Sequence, residues 1–262
     1  MIWFDGQLLP RDASVVRADD SALASGRGCY TTALWSAGRA RFVERHARRL
    51  VENAAQLALG RVERADCLDA IGALGAAVFG EGSGVVRLQA SRDGSRALHL
   101  LATARRLDEP RPFWRAIAAP FPHPGPMPWG GAKVTGHLAV DLAREAARAA
   151  GASDALLFDA AGRLVEGART NVFVVLRDGT AATPPLARGA VAGIAREILR
   201  ERVPELVERD VTLSDLARAR ELVLANAVRG AVAVVSLDGR PIGSGVPGPA
   251  AEHFRALLDA ER

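Results

Sequence analysis

Seven of the 14 prolines fall between Pro110 and Pro128, in the run "EPRPFWRAIAAPFPHPGPMPWGG". Proline lacks the amide hydrogen that a helix or a central strand needs, and its ring fixes φ, so a segment this rich in it predicts a connection rather than a buried element. A chain of 262 residues fits one large domain or two modest ones. The proline run divides it into an N-terminal domain over 1–113, a linker over 114–128 and a C-terminal domain over 129–262.

On the N-terminal side, "MIWFDGQLL" reads as a strand and turn, and "CYTTALWSAGRARFV" as a hairpin around Ala37-Gly38-Arg39. Val43, Ala47, Leu50, Val51, Ala54, Leu57 and Ala58 recur at helical spacing, and Gly60 is placed to end that helix. A second helix over 66–79 and the strand pair "GVVRLQASR" and "RALHLLATAR" complete this half. After the linker, "AVDLAREAARAAG" predicts a helix, while "DALLFDAAGRLVEG" and "NVFVVLRDGTAAT" predict strands joined at Ala-Gly and Asp-Gly turns. A helix over 193–202, a strand near Val207, a short helix capped by Ser214, the strands "ELVLAN" and "AVAVVSLDGRPI" and a terminal helix follow. The fold class is α+β, with strands joined mostly by hairpins.

Charge excludes little by its sign but much by its distribution. The formal net charge is only +4 and the basic residues are spread along the chain beside Asp and Glu, which is a mixed solvated surface and not a nucleic-acid footprint. No apolar run approaches the roughly 20 residues of a membrane span, and the N-terminus lacks the basic and apolar regions of a secretory signal. Two cysteines, Cys29 and Cys67, make neither a disulfide framework nor a metal motif. A cytoplasmic protein without a metal centre is expected.

Lys133 is the only lysine, so arginine supplies every other basic side chain. Arginine can replace lysine on a solvated face but not where an amine must lose its proton, which singles out Lys133 for amine chemistry. It lies in "GGAKVTGHL", where two glycines let the backbone approach a neighbour closely. Three other features accompany it. Glu166 ends a strand before Gly167, Arg49 sits in "HARRL" on the first helix, and Gly193 and Ile194 open a helix whose free N–H groups favour an anion. An amine, a carboxylate, an arginine and an anion-binding helix start are the set that pyridoxal phosphate requires.

The order of these motifs resembles the class IV pyridoxal-phosphate enzymes, which include branched-chain aminotransferases, D-amino-acid aminotransferases and 4-amino-4-deoxychorismate lyases. The resemblance runs from about Ile2 to the last strand. Its His-x-x-Arg-Leu motif matches His46, Arg49 and Leu50, its Schiff-base lysine matches Lys133, and its Glu-Gly-x-x-x-Asn-x-Phe segment matches Glu166 to Phe173. Its Gly-Ile-x-Arg turn matches Gly193 to Arg196, and its phosphate-side pair before the last strands matches Asn226 and Ala227. The resemblance implies the fold-type IV architecture, a small α/β N-terminal domain and a larger barrel-like C-terminal domain with the cofactor between them. It also implies a homodimer.

Within the family, "GRGCYTTALWSAGRARFVERHARRL" is most similar to the lyase branch, which implies elimination of pyruvate from 4-amino-4-deoxychorismate to give 4-aminobenzoate. An aminotransferase acting on D- or branched-chain amino acids is the alternative. On the lyase reading Tyr30, Thr31 and Thr32 face the substrate, with Thr32 handling or positioning a proton. Where relatives carry polar pairs after the lysine, this chain has His137, either a pocket donor to the substrate or a helix-start histidine without substrate contact, and Arg169 inside "EGARTN" either grips a substrate carboxylate or faces a partner subunit.

Overall fold

The computed structural model describes residues 1–261, which form two compact units. The first comprises Met1–Glu109 together with Ala132–His137, the second Pro110–Gly131 with Leu138 onward.

The first unit is built on a six-stranded sheet. Its strands are β1 (Ile2–Phe4), β2 (Gln7–Leu9), β3 (Cys29–Ser36), β4 (Arg39–Ala40), β5 (Gly84–Arg92) and β6 (Leu98–Arg105), in the order β2-β1-β6-β5-β3-β4, all antiparallel. The two outer hairpins turn through Asp5-Gly6 and Ala37-Gly38, each with positive φ at both positions, the twist that matches flanking strands. Helices α1 (Ser21–Ser25), α2 (Val43–Gln56) and α3 (Arg64–Phe79) complete the unit. Successive residues of a strand point to opposite faces, and β3 uses this to separate two environments. Cys29, Thr31 and Ala33 are fully buried on the face covered by α2 and α3, and Cys29 and Ala33 form one cluster with Ala47, Leu50, Ala54, Ile71 and Leu74. Tyr30 and Thr32 take the other face.

The α2 helix ends at Gln56, short of the expected Gly60. Ala58 adopts the left-handed conformation, the Leu59 N–H bonds back to the Ala54 carbonyl at 2.9 Å, and Leu59 buries its side chain. This is a Schellman stop closed by an apolar residue, in which alanine takes the position usually given to glycine.

The second unit carries nine strands: β7 (Trp114–Ala118), β8 (Asp154–Phe158), β9 (Leu164–Gly167), β10 (Asn171–Val175), β11 (Ala181–Thr183), β12 (Val207–Glu208), β13 (Glu221–Asn226), β14 (Gly230–Leu237) and β15 (Arg240–Pro241). Eight run in the order β12-β11-β10-β13-β14-β7-β8-β9, with β15 paired to β14. Along that path β9 and β10 are five strand spacings apart, about 24 Å in a flat sheet, yet only residues 168–170 join them. Four residue steps reach at most about 14 Å, and the Gly167 N–H bonds the Thr170 carbonyl at 2.8 Å across the turn. The sheet therefore curls until its end strand lies beside its third, as a barrel-like domain requires. Helices α4 (Leu138–Ala149), α5 (Ile194–Arg202), α6 (Leu213–Ala217) and α7 (Pro249–Ala260) surround it.

Three expectations are corrected here. The segment 114–128 is not simply a linker, because β7 pairs in parallel with both β14 and β8 in mid-sheet. Its prolines bracket a proline-free stretch, 113–119, that is long enough for a strand. The expected C-terminal domain also loses Lys133, since Ala132–His137 extends the edge of β3. Val134 bridges Cys29, the Tyr30 N–H donates to the Lys133 carbonyl at 2.9 Å, and Thr135 and Gly136 donate to the carbonyls of Gly28 and Gly26 at 2.9 and 3.0 Å. In addition, α6 is capped by Thr212 in a reciprocal box with Asp215, and not by Ser214.

Candidate active site

In the first unit, α2 and β3 jointly position Lys133 and Arg49. Arg49 and Asn53 are four residues apart on α2 and share its buried face. The Asn53 Oδ1 accepts the Lys133 N–H at 2.9 Å, and β3 holds the Lys133 carbonyl through Tyr30. Main-chain bonds on both sides thus fix the lysine while leaving its amine out of the anchoring. The amine nitrogen lies 4.7 Å from the centre of the Tyr30 ring, the Arg87 guanidinium carbon 3.7 Å from it, and the His137 ring 5.5 Å. Thr32 pairs with Arg87 across β3 and β5, so it presents its hydroxyl on this same face.

Thr31 points the opposite way. Its hydroxyl is bonded to Arg49 Nη2 at 2.7 Å and to His46 Nδ1 at 2.6 Å, and the residue is fully buried. The expectation that Thr31 faces substrate beside Thr32 is corrected by strand alternation, which puts neighbours on different faces. Burial, reinforced by the Arg49 charge, pushes the His46 pKa well below the usual imidazole value, so His46 is neutral.

In the second unit, Glu166 is buried at the end of β9, and its Oε2 accepts the Val191 N–H at 2.9 Å. His123 Nε2 stands 3.9 Å from Oε1, and the Gly125 N–H donates to His123 Nδ1 at 3.0 Å. Burial lowers the His123 pKa, against a small opposing pull from Asp159. Gly193 is the N-cap of α5 and Ile194 its first residue. The Asn171 Nδ2 donates to the Val191 carbonyl at 3.0 Å, and a Cβ on Gly193 would overlap the Asn171 amide oxygen. Asn171 thereby couples the start of α5 to the residue that holds Glu166.

The turn after Glu166 is strapped down on two sides. Thr170 donates to buried Asp154 at 2.9 Å, while Arg169 donates to the Ser153 carbonyl at 2.9 Å with its guanidinium 5.1 Å from the Trp114 ring centre. Asn226 donates to the Arg169 carbonyl at 3.1 Å and accepts the N–H groups of Val228 and Arg229 at 3.0 and 2.7 Å. The Asn226 side chain is therefore a brace between two turns, and Ala227 beside it is buried. Desolvation, opposed by Arg169 and Thr170, pushes the Asp154 pKa up to about 6.

Asn53, Arg87 and Asp154 escaped the sequence reading, and Asn171 entered it only as the asparagine of the Glu166–Phe173 segment. Asn53 had a signal, a polar residue at an apolar position of α2; the others depend on partners distant in the chain.

The family model for class IV amino-transferases matches residues 28–237. The chain belongs to that family. A class IV relative from Mycobacterium tuberculosis, described as a bifunctional aminodeoxychorismate lyase / D-amino acid transaminase, is 28% identical, the match covering 99% of this chain and 98% of the relative. Solved structures that match the whole chain include the following two. A hypothetical aminotransferase from Mycobacterium tuberculosis in its PLP-bound form is 25% identical with TM-score 0.87, covering 98% of that chain. The 4-amino-4-deoxychorismate lyase from Pseudomonas aeruginosa is 28% identical with TM-score 0.86, covering 99% of it. Matches to branched-chain aminotransferases from Methanocaldococcus jannaschii and Aquifex aeolicus are more local, spanning 36% of each relative's length.

This class IV enzyme uses pyridoxal phosphate, and its residues fit that group. It has one lysine, with an amine spared from structural duty, an arginine braced by a neutral network, a buried carboxylate already oriented by a backbone N–H, and a helix start without a side-chain cap. No helix among the described residues is long and apolar enough to cross a membrane.

Proposed function

We propose that this class IV enzyme is a 4-amino-4-deoxychorismate lyase, a cytoplasmic homodimer that releases pyruvate and 4-aminobenzoate. The observation that carries the reading is the β3 face on which Tyr30 and Thr32 stand with Arg87 and the Lys133 amine. Full-length similarity to proteins described as lyases supports it.

When bound, pyridoxal phosphate supplies an electron sink that acidifies the carbon bearing the substrate amine. In the first unit Lys133 and Arg49 have the chemistry to hold it, and the second unit, taken by itself, offers Glu166, Gly193 and Ile194. In the first unit Arg49 would supply a cation for phosphate; in the second the α5 start would offer free N–H groups to an anion, and Glu166 a carboxylate to the ring nitrogen. Lys133 takes the proton from the amine-bearing carbon, with its main chain held still by Asn53 and Tyr30. Thr32 offers a hydroxyl on the same face to steady the departing oxygen. The cation of Arg87 favours a substrate that carries carboxylates, as this one does.

The test supplies 4-amino-4-deoxychorismate to the holoenzyme without any keto acid and follows both products. Equal catalytic release of pyruvate and 4-aminobenzoate is expected. No release, with D- or branched-chain amino acids converting the cofactor to its amine form, would make the protein an aminotransferase, the reading favoured by its local matches.

A further inference from the structure

We infer that Thr31 is a positioning residue that sets the guanidinium of Arg49 for the cofactor phosphate. The inference rests on the reading of Arg49 as a phosphate ligand and goes beyond it. Three observations carry it. The Thr31 hydroxyl lies 2.7 Å from Arg49 Nη2 and 2.6 Å from His46 Nδ1, and all three residues are buried. Strand alternation and the register with β5 send the Thr31 side chain to the helix-covered face, away from Tyr30 and Thr32. Tyr30, the residue before Thr31, bonds the Lys133 main chain, so one dipeptide of β3 fixes the lysine backbone and orients the arginine.

The chemistry is that of a flexible cation held at one point. Arginine has four rotatable side-chain bonds and loses that freedom when it grips an anion, so a partner that fixes it beforehand raises affinity by lowering the ordering cost. A hydroxyl suits the task because it accepts from the guanidinium and can still share a hydrogen bond with the imidazole in either tautomer. A carboxylate there would compete with phosphate for the same cation. The side chains bonded to the Thr31 hydroxyl are Arg49 and, from the same helix, His46, whose imidazole is held neutral by burial and by the Arg49 charge.

Thr31→Val keeps shape and removes the hydroxyl, Thr31→Ala removes it without the branched methyl, and Thr31→Ser restores it. The readout is the dissociation constant of pyridoxal phosphate, obtained by resolving each holoenzyme and titrating the cofactor back, beside KM and kcat for the amino substrate. Re-imposing the ordering cost of one long side chain weakens binding by about two- to tenfold, so this is expected for Thr31→Val and Thr31→Ala, with Thr31→Ser close to the parent. Arg49→Ala must weaken cofactor binding at least as much. Unchanged cofactor affinity in Thr31→Val and Thr31→Ala, with Arg49→Ala impaired, would overturn the role of Thr31 alone. A rise in substrate KM without a cofactor effect would return Thr31 to the substrate. Unchanged affinity in Arg49→Ala would overturn the phosphate reading and the inference with it.

Discussion

Replacing Gly193 by alanine tests how the start of α5 is coupled to Glu166. The backbone at 193 has φ −78° and ψ 138°, which alanine adopts without strain, so any cost comes from contact. The added Cβ would overlap the Asn171 Oδ1 and stand 3.1 Å from its Cγ. Asn171 must then rotate and lose its 3.0 Å bond to the Val191 carbonyl. Overpacking a tight site costs about 1–3 kcal/mol, and stranding a buried hydrogen-bonding group about another 1–3 kcal/mol, so about 2–6 kcal/mol is expected. The loss is measured as a shift in the denaturant midpoint at unchanged slope, together with cofactor affinity, since Val191 also orients Glu166. Asn171→Ala removes the obstructing amide, so adding Gly193→Ala to it should cost less than about 1 kcal/mol more. Parent-like stability of Gly193→Ala, or simple additivity in the double variant, would refute the reasoning.

Three further outcomes follow from the same geometry. Lys133→Arg and Lys133→Ala should fold normally, because the bonds that seat the residue are main-chain; each should lose the visible cofactor band and at least about 10²-fold in turnover, and retained turnover would exclude Lys133 as the amine. Asp154, whose pKa rises from 3.8 to about 6 mainly by burial, binds its proton more tightly folded than unfolded. Its contribution is therefore full below about pH 4 and falls by about 3 kcal/mol by pH 7; Asp154→Asn should flatten that part of the stability profile, and an unchanged slope would contradict it. For His99, burial is the largest influence and lowers the pKa, but hydrogen bonds and charges from Asp5 and Asp93 together raise it. The clasp thus stabilises fully below about pH 6.5 and fades as pH rises through the folded value, so His99→Asn should lose more stability at pH 5.5 than at pH 8.5; equal losses would show that the imidazolium contributes nothing.

Local rules read the elements well where the residues themselves carry the instruction. Asp5-Gly6 and Ala37-Gly38 turn their hairpins, and α5 begins at Gly193. They fail where a partner decides. Proline counting cannot see that 114–118 fills a gap between β14 and β8, nor that Ala132–His137 leaves its neighbours to edge β3. Motif position marks Asn226 for the cofactor, but only the fold shows its side chain engaged by Arg169, Val228 and Arg229. Thr31 and Thr32 are alike as letters; the register of β3 and the arginine on α2 give them different work.

The excursion of Ala132–His137 means that the chain passes from one unit to the other at three places, after residues 109, 131 and 137. No single cut yields a self-sufficient half. A recombinant fragment ending at 109 would leave the Gly28 carbonyl and the Tyr30 N–H as an open strand edge, a template for aggregation. Supplying the hexapeptide 132–137 from another molecule would close it, so fragment complementation or strand exchange between copies is the natural failure mode of a truncated product.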